Sequence, residues 1–96
     1  MSDPTRTDPE LYSVVFENDR VRVLEYRDTP GACTHPHDHP DSVMVTLSAF
    51  RRRLTVGERV VEFDKPAHEI SWLPGQTHVG ENVGAAPTHV VFVELK

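Results

Sequence analysis

Proline and glycine recur so often along this chain that no long helix has room to form. Eight prolines and five glycines cut the 96 residues into short segments. Proline removes a backbone donor and glycine weakens both helices and strands, so such punctuation favours short extended elements joined by turns. The stretch Glu10–Leu24 is free of both, but its apolar residues do not fall at helical spacing. No helix is expected. Arg20-Val21-Arg22-Val23-Leu24-Glu25-Tyr26-Arg27 alternates charge with apolar side chains, the period of a half-buried strand. Further strand-like runs are Ser13–Phe16, Thr34–Asp41, Val43–Leu47, Phe50–Val56, Arg59–Phe63, His68–Leu73, Thr77–Val83 and Thr88–Leu95. About eight short strands at even spacing predict an all-β barrel or sandwich. The Asp3-Pro4 and Asp8-Pro9 pairs disfavour helix, so residues 1–11 read as a flexible lead-in and 12–96 as one domain.

Composition narrows the functional classes. The formal charge is −5, which argues against a nucleic-acid partner, since a phosphate backbone calls for a basic face. A single cysteine cannot form an internal disulfide. No stretch of eighteen or more apolar residues offers a membrane span. Met1–Glu10 lacks the basic-then-apolar pattern of a secretory signal, and the cytoplasm is the expected location.

Three of the six histidines fall within five residues, in Thr34-His35-Pro36-His37-Asp38-His39-Pro40-Asp41. Residues two apart on a strand share a face, with Cα atoms about 6.6 Å apart. Two imidazoles at that spacing can lean onto one ion at about 2.0–2.1 Å each. His35 and His39 would lie about 13 Å apart on an extended segment, too far to share an ion. The pair is therefore His35/His37 or His37/His39. A third imidazole is available at His78, delivered by the Pro74-Gly75 turn.

These two segments together resemble the two motifs of the cupins. Gly31, five residues on His37, then Asp38 and His39, is similar to the first motif. Trp72-Leu73-Pro74-Gly75-Gln76-Thr77-His78, with Asn82 four residues later, is similar to the second. The resemblance runs from about Val21 to the C-terminus. It implies a single-domain jelly-roll β-barrel that holds one divalent metal inside on its motif histidines. Where the family carries a glutamate after the second histidine, this chain has Val43 and Met44. The resemblance then implies a three-histidine site, His37, His39 and His78. Imidazole ligands suit Fe, Zn, Ni and Cu better than Mg or Ca, and the expected cofactor is one divalent transition metal, Fe, Zn, Ni, Mn or Cu. A competing register uses His35, His37 and Asp41 and would bring a carboxylate to the metal.

Around this site, Arg52 shares strand parity with Phe50, Leu54 and Val56, so it is expected to point inward and to find an internal acid or an anionic ligand. Arg51 and Arg53 read as a solvated face. Met44 and Trp72 are candidates to line a cavity or to sit in ordinary core packing. Cys33 shares strand parity with the histidines and is expected as a small buried core residue, with a place behind the ligands or among them as the alternatives. His68 and His89 carry no motif, and Asn82 is expected to tie the second motif without chemistry. The functional expectation is a metal-dependent enzyme on a small-molecule substrate, of dioxygenase, lyase or isomerase type. A non-catalytic ligand-binding or sensing role is the alternative, and metal storage on an exposed His35/His37/His39 loop a third. Edge strands of a small open barrel need cover, so a homodimer is expected.

Overall fold

The computed structural model describes residues 2–96. Nine strands follow one short helix. They are β1 (Tyr12–Glu17), β2 (Val21–Asp28), β3 (His37–His39), β4 (Ser42–Thr46), β5 (Phe50–Val56), β6 (Arg59–Lys65), β7 (Ile70–Leu73), β8 (Gln76–Asn82) and β9 (Thr88–Leu95). All pairings are antiparallel, in a five-stranded sheet ordered β1-β2-β9-β4-β7 and a four-stranded sheet ordered β3-β8-β5-β6. This is the all-β jelly-roll barrel expected from the sequence. The strand that the histidine segment was expected to form, Thr34–Asp41, is reduced to three residues, because Pro36 and Pro40 bound it.

One expectation is corrected. Pro4–Thr7 forms a one-turn helix, α1. Asp3 is its N-cap, accepting from Thr5 N at 2.9 Å, and Pro4 occupies the first turn, where its missing N–H costs nothing. The Asp-Pro pair read as a helix breaker is here a helix start. Asp8, ahead of Pro9, leaves helical geometry and closes the turn by donating its N–H to Pro4 O. The segment ahead of β1 also lies along the outer edge of β3: Asp38 N donates to Ser2 O at 2.7 Å. That contact covers backbone groups which an edge strand would otherwise leave open.

The barrel interior is supplied by one face of each strand. β9 alternates buried and half-buried along its length, with Thr88, Val90, Phe92 and Glu94 inward. Tyr12, Leu24, Tyr26, Phe50, Val90 and Phe92 form the buried apolar cluster, with Met44 and Leu73 packed against it. Val56, expected to face inward, is 37% exposed, because β5 leaves the barrel as it approaches its hairpin with β6. Gly57 turns that hairpin at φ +59°, a conformation other residues rarely adopt.

Candidate metal centre

β3 and β8 bring the three histidines together. Their register places His37 directly opposite His78, and His39 stands two residues along on the same face of β3. Ring centroids are 4.8 Å apart for His37–His39 and His37–His78, and 5.0 Å for His39–His78. The candidate ligand atoms all lie within 4.8 Å of one another, and all three residues are buried. The Pro74-Gly75 turn permits this approach: a Cβ on Gly75 would stand 3.2 Å from the His39 carbonyl oxygen.

Each ring is oriented by an acceptor on its Nδ1 side. His37 Nδ1–H donates to the His35 carbonyl at 2.8 Å, His39 Nδ1–H to Glu94 Oε2 at 2.9 Å, and His78 Nδ1–H to Gln76 Oε1 at 2.8 Å. None of these acceptors has a proton to give in return, so in each neutral ring the lone pair sits on Nε2. Tyr12 Oη–H reaches His37 Nε2 at 3.3 Å. The buried Nε2 of His39 has no hydrogen-bond partner among the described residues. A buried lone pair left unmatched is costly, and a Lewis acid would match it. Burial, reinforced by the neighbouring histidines and Arg52, holds His78 at a pKa of about 3, and burial likewise pushes His37 down. Both rings are therefore neutral at physiological pH, the state in which imidazole ligates. The donor set fits a divalent transition metal.

The other sequence candidates separate around this cluster. His35 is not part of it: its side chain is 73% exposed, and its Nδ1 pairs with Asp8 at 2.9 Å. Asp41 Oδ1 accepts from Gly75 N at 2.7 Å and serves the turn. The competing register is not the one assembled, and burial of His37 and His39 removes the exposed-loop arrangement. Arg52 does point inward, with its side chain 11% exposed. It meets an internal acid, Asp28, at 3.2 Å, donates to Tyr26 Oη at 3.1 Å and lies 4.8 Å over the Tyr26 ring. Trp72 does not sit in ordinary core packing: it is 54% exposed. Cys33 is exposed rather than buried, since its neighbour Thr34 is the one that faces inward where the segment runs along β8. Asn82 ties the second motif, donating to Asp28 Oδ1 and to the Ala86 carbonyl at 2.9 Å each. A cavity of about 430 Å³ opens beside the cluster, with Met44, Arg52, Trp72 and His78 in its wall.

Sequence reasoning missed Glu94, Asp8 and Asp28. Glu94 is 2% exposed and is shared between His39 and Arg22, whose Nη2 stands 2.9 Å from Oε1. Arg22 in turn pairs with Asp3 at 2.7 Å, so the N-cap of α1 connects to His39 by way of Arg22 and Glu94. A signal existed: Glu94 has the parity of Val90 and Phe92, and an acid on an apolar face needs a partner. Asp8 binds the backbone N–H of His35 at 3.1 Å and steadies the lead into β3.

No protein-family model matches the chain, and no curated protein matches it. Solved structures do. A cupin domain from Bordetella pertussis Tohama I is 28% identical, with 90% of this chain and 92% of that one covered, at a TM-score of 0.83. A conserved protein with a double-stranded β-helix domain from Klebsiella pneumoniae is 26% identical, covering 88% and 75%, at 0.70. The polyketide cyclase RemF from Streptomyces resistomycificus is 17% identical, covering 88% and 63%, at 0.67, a likeness of fold.

Proposed function

Taking as premise that the chain is a small cupin domain, we propose that it is a metal-dependent enzyme acting on a small molecule, of dioxygenase, lyase or isomerase type. One divalent transition metal (Fe, Zn, Ni, Mn or Cu) would be held by His37, His39 and His78. The observation that carries this reading is the convergence of three buried rings whose Nδ1 atoms are all occupied by acceptors. When bound, such a metal polarises a ligand oxygen as a Lewis acid. The protein's own part is positional. Glu94 fixes the tautomer and rotation of His39. Tyr12, whose pKa burial drives upward, remains a neutral phenol and so a hydrogen-bond donor beside His37. Met44 and Trp72 would contact the apolar body of the ligand from the cavity wall, and Arg52 would contact its polar part.

Elemental analysis of untagged protein tests the reading. About one equivalent of metal, lost in His78→Ala, is expected; a well-ordered chain that takes up none of the five metals would overturn it. One observation favours the second reading, a non-catalytic ligand-binding or sensing domain. The buried acids around the site are all engaged, Glu94 with Arg22 and His39, Asp28 with Arg52 and Asp8 with His35, and none is free to act as a general base. Tight ligand binding with no turnover would select that alternative. The homodimer expected from sequence would draw on edge strand β1, where Val14, Val15 and Phe16 are exposed; the mass in solution tests it. Among the described residues no helix is long and apolar enough to cross a membrane.

A further inference from the structure

The chain has one Trp, two Tyr and four Phe. All but Phe16 line the cavity beside His78. Barrels of this size normally fill their interior with side chains, yet here about 430 Å³ stays open. Tyr12 and Tyr26 face each other at 4.7 Å, and Tyr12 and Phe92 at 6.2 Å, so these rings form the deep wall. Phe50, Phe63 and Trp72 lie in the same lining with no ring partner among the described residues. Trp72 on β7 and Phe63 on β6 belong to the outer strands of different sheets, and these strands do not pair with each other. The cavity opens between them, and Trp72 is left 54% exposed at its rim.

Most polar groups in the lining are already engaged: Tyr26 and Arg52 with Asp28, Asp64 with Arg51, Lys65 with Glu69 and Thr88 with Asn82, which leaves the Tyr12 hydroxyl, Ser71 and His78. Arg52 is already matched by Asp28, so the cavity calls for no second negative charge. A sugar-like guest would find too few partners for its hydroxyls. Planar rings stack and edge-pack on aromatic walls, with gain beyond burial alone. We infer that the ligand of this cavity is a neutral or weakly acidic aromatic molecule, with adjacent oxygen donors at the end that enters first. The inference deepens the proposed metal-site reading and rests on it only for the oxygen donors.

The test compares two diols with the same donor pair, 2,3-dihydroxynaphthalene and cyclohexane-1,2-diol, against the full chain, metal-free and zinc-loaded. Affinity is read by calorimetry. Placement is read from the indole N–H resonance of Trp72, which is unambiguous because it is the single tryptophan. The aromatic diol is expected to bind about tenfold tighter or better than the saturated one and to shift that resonance. Phe63→Leu, which keeps an apolar side chain of similar bulk, is expected to narrow the gap severalfold while leaving the saturated diol unaffected. Equal affinities, or tight binding with an unmoved indole signal, would overturn the inference. Zinc stoichiometry is measured separately. A chain that refuses zinc but still prefers the aromatic diol defeats the metal reading alone; one that takes zinc and shows no preference defeats the aromatic assignment alone.

Discussion

Glu94 is the residue whose removal says most about the centre. It is buried, accepts from His39 Nδ1 and is balanced by Arg22. Glu94→Gln retains the shape but weakens the ring's orientation and basicity, so zinc affinity should fall about 10–100-fold by calorimetry, the range for lost partners of metal-ligating histidines. Ser42 offers the reverse case. Its hydroxyl is buried with no partner among the described residues, and Ser42→Ala should raise stability by about 1 kcal/mol in urea denaturation. At this scale the histidine cluster was legible only in part from spacing, which left His35/His37 and His37/His39 both open; the resemblance to the two motifs selected His37, His39 and His78. Glu94 was not legible, since it lies fifty-five residues from its partner in the chain, and only the β9 register brings it near.

Among the elements, β8 and β5 carry the tightest constraint. They pair with Leu54 opposite Gly80, and a Cβ on Gly80 would collide with the Arg52 guanidinium. Arg52 cannot retreat without leaving Asp28 and Tyr26. Gly80→Ala should therefore cost about 1–3 kcal/mol, the usual range for overpacking, measured by chemical denaturation. His68 shows strain of another kind. It is exposed at φ +64° between β6 and β7, where a side chain adds cost and glycine does not. His68→Gly should stabilise by about 1 kcal/mol in the same assay. Strand positions were readable from two-residue alternation and Pro/Gly breaks. The helix α1 was not, because Asp-Pro is ambiguous until the chain ahead of it is seen to dock: the same pair that blocks a helix interior starts one at its first turn.

The molecule as a whole is tied together by charges as well as by its apolar interior. Burial alone would raise the Asp3 carboxyl, but hydrogen bonds from Arg22 and Thr5 override it and lower its pKa from 3.8 to about 2. A depressed carboxyl contributes its stability above the ordinary value and loses it as pH falls through the folded one. Docking of α1 should thus be intact at pH 4 and weaken on descent to about pH 2, a slope that Asp3→Asn should flatten in thermal melts. Metal removal belongs to this scale too. An ion held only by the folded chain should add about 2.7 kcal/mol at a hundredfold excess over its dissociation constant, visible as a higher melting temperature that chelator reverses.

The path from α1 through Arg22 and Glu94 to His39 has a reciprocal side. Thermodynamic coupling runs equally in both directions. If a docked N-terminal segment steadies the ring, then an occupied ring steadies the segment. The amides of Leu11 and Tyr12, bonded to Asp8 O at 3.0 Å, become a gauge of that grip. Their deuterium uptake should slow on metal loading, so the segment that leads from α1 into β1 would register events at the three histidines.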